Sequence, residues 1–286
     1  MDLSQYLSSH SITLSGVLAL ADCRVHKPYL LERAGFAGKD QSEIFVQLFA
    51  VPYLTPAADV PGRNLSAYAV SEDYHRFMQE LYDDLLPRLR RDFPAHTFAG
   101  FVDHSPIDEI TAAVDAGLGI RGRNHLLLTE RYSSYIFLGE IITDLPLTPT
   151  PTVLPPESRA CHNCGACLRA CPQLCEGGEC RSALTQKKGS LTSEEREMLI
   201  RFGGVWGCDI CQEVCPYTAH ARQRGTIYTA IPFFHRATIA HLTLDILDGM
   251  DDETFARRAY AWRGREVIRR NLTLIHEQND TERKES

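Results

Sequence analysis

Hydrophobic positions along the chain fall into two rhythms. In Ile12 to Leu20 and in Ile44 to Val51 apolar residues dominate, with β-branched and aromatic members among them, which predicts short buried strands. From Tyr74 to Leu89 the apolar set is Tyr74, Phe77, Met78, Leu81, Tyr82, Leu85, Leu86 and Leu89. Steps of three and four put these on one side of a helix. Pro94 follows, Thr97 to Val102 returns to strand character, and Ile107 to Ala116 predicts a second helix stopped by glycines. Tyr135 to Ile142 is another candidate strand and contains Gly139. Leu145 to Pro156 then carries prolines at 146, 149, 151, 155 and 156. Proline fixes φ and removes a donor, so this stretch predicts an extended connector. Thr254 to Ile275, with Phe255, Tyr260, Trp262, Val267, Ile268, Leu272 and Ile275, predicts a helical tail. The expected class is α+β / α/β, divided at 1–150, 151–225 and 226–286.

Composition narrows the function classes. The 286 residues are 44% apolar, with Lys+Arg 30 against Asp+Glu 37 and a net charge of −7. That is ordinary globular composition, which excludes fibrous and disordered chains. No stretch approaches the roughly 18 apolar residues of a membrane span. The N-terminus MDLSQYLSSHS lacks a basic segment followed by an apolar one, so a cytoplasmic protein without a membrane partner is expected.

The cysteines change the picture most. Of ten, nine lie between Cys161 and Cys215, and only Cys23 lies outside, read here as an ordinary thiol. The first run is Cys161-x2-Cys164-x2-Cys167-x3-Cys171-Pro172. Three sulfurs so spaced can surround one iron–sulfur cube while the fourth serves a second. The second run, Cys208-x2-Cys211-x3-Cys215-Pro216, repeats this grammar with one cysteine fewer. Cys180 can supply the missing ligand, with Cys175 as its rival. The crossed pattern of two-cluster ferredoxins assigns Cys161, Cys164, Cys167 and Cys215 to one 4Fe–4S cluster, and Cys171, Cys180, Cys208 and Cys211 to the other. Zinc also uses paired C-x2-C units, but it has no need of the third cysteine or of the near-repeat. Crowded cysteines in a cytosolic-looking chain argue against disulfides.

Clusters carry electrons without choosing a substrate. No G-x-G-x-x-G follows a strand, so no Rossmann nucleotide site is indicated. Gly117, Gly119 and Gly122 could let a cofactor approach the backbone, or could simply end a helix. In Val102-Asp103-His104-Ser105-Pro106 an acid follows a strand and precedes a helix. Asp103 or Ser105 could be that helix's cap.

Taken together these segments resemble the cobalamin-dependent epoxyqueuosine reductases. The matching residues run in order: Tyr68-Ala69, Asp73-Tyr74-His75, Val102-Asp103, Ala116-Gly117-Leu118-Gly119 and Gly122-Arg123-Asn124. Leu138-Gly139-Glu140-Ile141-Ile142-Thr143, Leu145-Pro146-Leu147, both cysteine runs, Cys180-Arg181-Ser182 and Gly207-Cys208-Asp209 continue it. The resemblance implies a cobalamin-binding α/β domain, a two-cluster ferredoxin-like domain and a short helical tail. It implies reduction of epoxyqueuosine to queuosine in tRNA, with the clusters passing single electrons to cobalt to give nucleophilic Co(I). Asp103 matches the family's proposed general acid, a carboxyl whose proton leaves with the epoxide oxygen. Tyr68, Asp103, Arg123, Asn124, Ser182 and Asp209 fall in segments that contact cobalamin. A flavodoxin or ferredoxin would donate the electrons to a monomeric enzyme.

The family usually continues into a C-terminal helical-repeat module that grips tRNA, and this chain is expected to be a short version without it. Its usual lysine in the G-K-N turn is Arg123 here. The net acidic charge opposes polyanion binding globally, yet Arg257, Arg258, Arg263, Arg265, Arg269 and Arg270 cluster near the end, with Lys187 and Lys188 in the cysteine region. That cluster reads either as an RNA face or as a helix face making intrahelical pairs. A cobalamin-dependent reductase of a small molecule, related in chemistry to reductive dehalogenases, and a non-catalytic electron carrier are the other readings the residues leave open.

Overall fold

In a computed structural model the described residues are 3–150, 160–171 and 180–285, with side chains described to 276. Pro172, Cys175 and the prolines at 151, 155 and 156 lie outside them. Two compact units share the chain. The first takes Met1–Tyr53, Phe77–Cys164 and Pro216–Ile231, the second Leu54–Arg76, Gly165–Cys215 and Pro232–Ser286. Among the described residues no helix is long and apolar enough to cross a membrane.

The first unit is built on four strands: β1 (Leu14–Ala19), β2 (Phe45–Pro52), β3 (Phe98–Phe101) and, after two short ones, β6 (Ile136–Thr143). Their order is β1-β2-β6-β3 and every pairing is antiparallel. Antiparallel pairing puts the sheet on the α+β side of the expected class. The central strand β2 is buried from Val46 onward, which is why its sequence is almost continuously apolar. Helix α1 (Tyr74–Asp92) supplies Phe77, Met78, Leu81, Tyr82, Leu85 and Leu89 to the core. Six such side chains contribute on the order of 10 kcal/mol of gross burial. Gly139 and Gly100 let this face close up: a Cβ on them would meet Met78 and Phe49, or the Tyr82 ring, within 2.6 Å.

The other sheet face packs against α2 (Glu109–Asp115). Here the helix starts later than its apolar pattern predicts, and neither Asp103 nor Ser105 caps it. Asp108 does, accepting from Thr111 N at 3.0 Å. The cause lies next door: Pro106 O accepts from His26 N and Lys27 N, and Ile107 bridges Val25. Those bonds hold 106–107 extended, so helical φ/ψ cannot begin before Asp108. Beyond α2, Gly117 takes φ 78° while Leu118 N donates to Ala113 O at 2.9 Å, a left-handed helix end. The chain then forms the hairpin β4 (Ile120–Arg121) and β5 (Leu127–Leu128). A Cβ on Gly119 would sit 2.4 Å from Leu128 O, so only glycine fits there. In the proline-rich stretch, Leu145 and Leu147 are buried, and Thr150 exchanges two 2.9 Å bonds with the Val17 backbone.

The second unit is helical and held by polar brackets. Helix α3 (Ala166–Ala170) packs on the one-turn helix Ile210–Glu213, and α4 (Arg181–Thr185) on α5 (Ser193–Phe202). A capping box between Thr192 and Glu195 starts α5, and Gly203 ends it at φ 69°. Leu184, Leu191, Leu199 and Leu274 form its small core. Fully buried Asn271 donates to both Thr185 O and Val205 O at 2.8 and 2.9 Å. The expected tail divides into Asp252–Ala256, a short 3-10 turn at Ala261–Arg263, and Arg265–Glu285.

Candidate functional site

Asp103 follows β3 on an exposed turn with φ 58°. His104 N donates back to Val102 O at 2.5 Å, closing a three-residue turn around it. Left-handed backbone is strained for a residue with a Cβ, and such strain collects at functional sites. His104 is held from both sides. Lys27 Nζ has only donors, so it donates to His104 Nδ1 at 3.3 Å, which leaves Nε2 as the protonated nitrogen facing Tyr29 Oη at 3.2 Å.

Two further carboxyls lie behind Asp103, and sequence reasoning did not single out either. Glu109 opens α2, close enough for the Asp103 N–H to donate to it. Burial, then the Asp103 charge, pushes its pKa up to about 7, against the pull of that N–H and of Lys27. Glu140 sits mid-β6, in register with Leu48 and, one strand further, Gly16. Its neighbours on that face are apolar residues packed against α2. The side chain is 0% exposed, and neither carboxylate oxygen has a hydrogen-bond partner among the described residues. Burial, then Glu109, raises its pKa to about 8; the Ser105 hydroxyl, near the carboxyl but outside hydrogen-bond geometry, works against the rise. An ionised carboxylate in that position would have nothing to replace its water, so Glu140 is a neutral acid at pH 7. Cys23, half-buried nearby, has its thiol pushed up to about 12 by burial and by Glu140, consistent with an unreactive thiol.

Cys161 and Cys164 belong to the first unit. Cys167, Cys171, Cys180, Cys208, Cys211 and Cys215 belong to the second. No disulfide joins the described cysteines. Among the described residues no three Cys, His, Asp or Glu side chains gather tightly enough to hold a single ion. The candidate donors are all cysteine thiols, the ligand type that iron–sulfur clusters take. Cys161 Sγ accepts from Arg123 N at 3.3 Å, the kind of N–H···S bond that stabilises a thiolate. Burial pushes the Cys208 thiol up to about 11, the Ile210 N–H opposes it, and the charges of Asp209 and Cys180 add to it.

The residues expected at cobalamin behave differently from one another. Asn124 uses Oδ1 to accept from Leu126 N at 3.4 Å, while its buried Nδ2 has no partner among the described residues. An orphaned donor of this kind fits an acceptor-rich cofactor. The Arg123 guanidinium is bonded to Asn163 Oδ1. Tyr68 Oη accepts from Trp206 Nε1 at 2.7 Å. Asp209 is buried and fully engaged, accepting from Ser66 Oγ, Ala67 N, Arg63 and Gln212 at 2.6 to 2.9 Å. Ser182 lines a cavity of about 640 Å³ together with Cys180, Gln186, Lys187, Lys188 and Arg263.

Neither reading of the arginine run holds in full. Arg258 is buried and donates to Ala69, Val70 and Ala237 carbonyls at 2.6 to 3.3 Å. Arg265 holds Leu247 O and Met250 O, and Arg270 holds Lys187 O and Gly189 O. Arg269 pairs with Asp248, and Arg257 with Glu253 and Glu72. Among the described residues the Arg257–Glu253 contact is the run's i,i+4 pair, at the end of the helix Asp252–Ala256. Arg263 instead stacks 3.9 Å over the ring of Trp262, which is 59% exposed.

No family model matches the chain. The epoxyqueuosine reductase of Listeria monocytogenes is 35% identical over 211 residues, covering 71% of this chain and 54% of that protein. That of Gloeobacter violaceus is 31% identical over 230 residues, covering 77% and 70%. The chain spans about half the length of several curated relatives it matches. Among solved structures, an epoxyqueuosine reductase with a tRNA-Tyr epoxyqueuosine-modified stem loop superposes with a TM-score of 0.73 at 24% identity, covering 96% of this chain and 79% of that one.

Proposed function

Because the chain belongs to the epoxyqueuosine reductase family, we propose that it is an oxidoreductase that reduces the epoxide of epoxyqueuosine in tRNA to the alkene of queuosine. The observation that carries this reading is Asp103: an exposed carboxyl on a strained turn, excused from capping α2, with the half-buried Glu109 and the buried Glu140 behind it. Removing an epoxide oxygen as water consumes two electrons and two protons. Cobalamin, when bound, would supply the electron-rich metal that attacks the epoxide, and two 4Fe–4S clusters would feed it single electrons from a flavodoxin or ferredoxin. The remaining work falls to this chain's own side chains. Asp103 would protonate the departing oxygen. Cys161, Cys164, Cys167 and Cys215 would hold one cluster, and Cys171, Cys180, Cys208 and Cys211 the other. Asn124 would offer its orphaned Nδ2 to the corrinoid, alongside Tyr68, Arg123 and Ser182, while Asp209 would act by fixing the Ser66–Tyr68 turn.

The tRNA stem loop found with a relative supports tRNA as substrate carrier. The arginine run gives that no extra weight, since most of it is spent within the fold. The test is direct: reduced protein is incubated with epoxyqueuosine-containing tRNA and its nucleosides are analysed by mass spectrometry. Queuosine should appear with wild-type protein and be lost in Asp103→Asn, with clusters and cobalamin still bound. No queuosine from intact wild-type holoprotein, or unchanged turnover in the variant, refutes the reading.

A further inference from the structure

Asp103 can deliver a proton to one place only if its turn keeps one shape. A residue with a Cβ at φ 58° persists only where its surroundings over-determine the backbone. The cap of α2 does not reach the turn, because Asp108 fills that place and the Ser105 hydroxyl accepts from Ile107 N at 3.0 Å. Support comes instead from residues 24–31. For the reduction proposed above, on which this rests, we propose that Lys27, His104 and Tyr29 form a clamp that positions Asp103. The clamp holds the turn left-handed, so that the carboxyl meets the departing oxygen.

The clamp has a fixed base and a gripping end. At the base, Pro106 O accepts from His26 N at 2.8 Å and from Lys27 N at 3.1 Å, and Arg24 O accepts from Asp108 N at 3.0 Å. Val25 forms a bridge to Ile107 between them. These are backbone bonds, so they tie the two segments together whatever their side chains. Tyr29 follows in the one-turn helix Pro28–Leu31, which its buried Leu30 and Leu31 anchor. Lys27 and Tyr29 are therefore presented from a foundation that cannot slide along the turn. At the gripping end, Lys27 Nζ donates to His104 Nδ1 at 3.3 Å, and His104 Nε2 donates to Tyr29 Oη at 3.2 Å. Both ring nitrogens are engaged, so the imidazole cannot turn over without losing both bonds. His104 directly follows Asp103, and its own N–H is bonded back to Val102 O. A change in Asp103 φ or ψ would swing the imidazole away from both partners. His104 is thus a positioning residue rather than a second acid, since its one side-chain N–H is committed to Tyr29.

Proton transfer needs donor and acceptor within hydrogen-bond reach, and a displacement of about 1 Å can cost about 100-fold in rate. In pre-reduced holoprotein, His104→Ala should therefore lower the single-turnover rate on epoxyqueuosine-containing tRNA by about tenfold or more. Its affinity for that tRNA should stay within about twofold of wild-type, with iron, corrinoid and melting temperature unchanged. Lys27→Met and Tyr29→Phe should each lower the rate by less. Adding Lys27→Met to His104→Ala should lower it no further, because the grip is already lost. His104→Gln, which still offers an acceptor and an N–H, should recover part of the rate. A second readout needs no turnover: amide hydrogen exchange within residues 101–108 should quicken in His104→Ala while the strands exchange as in wild-type. An unchanged rate, a loss confined to tRNA affinity, multiplying losses in the double variant, or unchanged exchange at 101–108 overturns the clamp. Tyr29→Phe deletes one surface hydroxyl; a slower rate that comes there with lost cofactor or a lower melting temperature marks a merely structural role and overturns it too. Wild-type holoprotein that makes no queuosine refutes the reaction itself, whatever the exchange shows.

Discussion

Glu140 makes stability itself a reporter of burial. Its folded pKa of about 8 stands above the ordinary 4.5, raised first by burial and then by Glu109. The folded protein therefore holds this proton more tightly than the unfolded chain does. Its contribution is complete below pH 4.5, fades as pH rises towards 8, and is gone above that. Over that interval of about 3.5 pH units, at about 1.4 kcal/mol per unit, up to about 5 kcal/mol of stability is lost. Glu140→Gln cannot ionise, so it escapes this loss. Its amide has no partners either, which costs about 1–3 kcal/mol at every pH. The neutral acid is equally short of partners, so the two proteins should be similar in stability near pH 5, and the variant the more stable near pH 8.5. In anaerobic thermal melts of the holoproteins, with each kcal/mol worth about 2 °C for a chain this size, the difference should swing by about 10 °C. Groups that Glu140 does not touch are common to both and cancel, and the Cys23 thiol and Tyr82 phenol that it does touch titrate above this pH range. A difference that does not change with pH refutes the neutral-acid reading of Glu140.

Three further outcomes follow from named contacts. Asn271→Ala strips two buried carbonyls of their donor and should cost about 2–4 kcal/mol, read as a lowered denaturant midpoint at unchanged slope. Gly119→Ala drives a methyl into Leu128 O at 2.4 Å, so the β4–β5 hairpin must shift; a variant melting within about 1 °C of wild-type contradicts that contact. Cys180→Ser should halve the iron bound per chain while leaving one cluster's absorbance, and an unchanged iron content would remove Cys180 from the ligand set.

The local rules of the chain were legible in its sequence. Continuous apolar runs marked β1, β2 and β6 because those strands are covered, and the three-four rhythm marked α1 nearly to its ends. Pairing is a different matter, since β6 lies between β2 and β3 through contacts that no single segment encodes. The start of α2 was misplaced because the bonds from His26 and Lys27 to Pro106 O act over eighty residues. Glu140 was visible as the one charged residue of its strand and lay in a segment resembling the family, but nothing in the sequence told that its carboxyl is buried without a counter-charge. The arginine run shows the limit of counting charges: a guanidinium turned inward onto carbonyls and one facing water read alike in sequence.

Each compact unit draws on three separate stretches of chain, and that has a consequence for how the protein is made. Synthesis delivers Cys161 to Cys215 before Pro216–Ile231 exists to complete the first unit, and before Pro232–Ser286 exists to complete the second. A chain emerging from the ribosome thus exposes its cysteines while neither unit has all its parts. Any group that these cysteines hold in the finished fold can therefore enter it only after both later stretches have been made. No single cut yields either half as one contiguous fragment, so a truncation meant to isolate the cysteine-rich part would remove pieces of both.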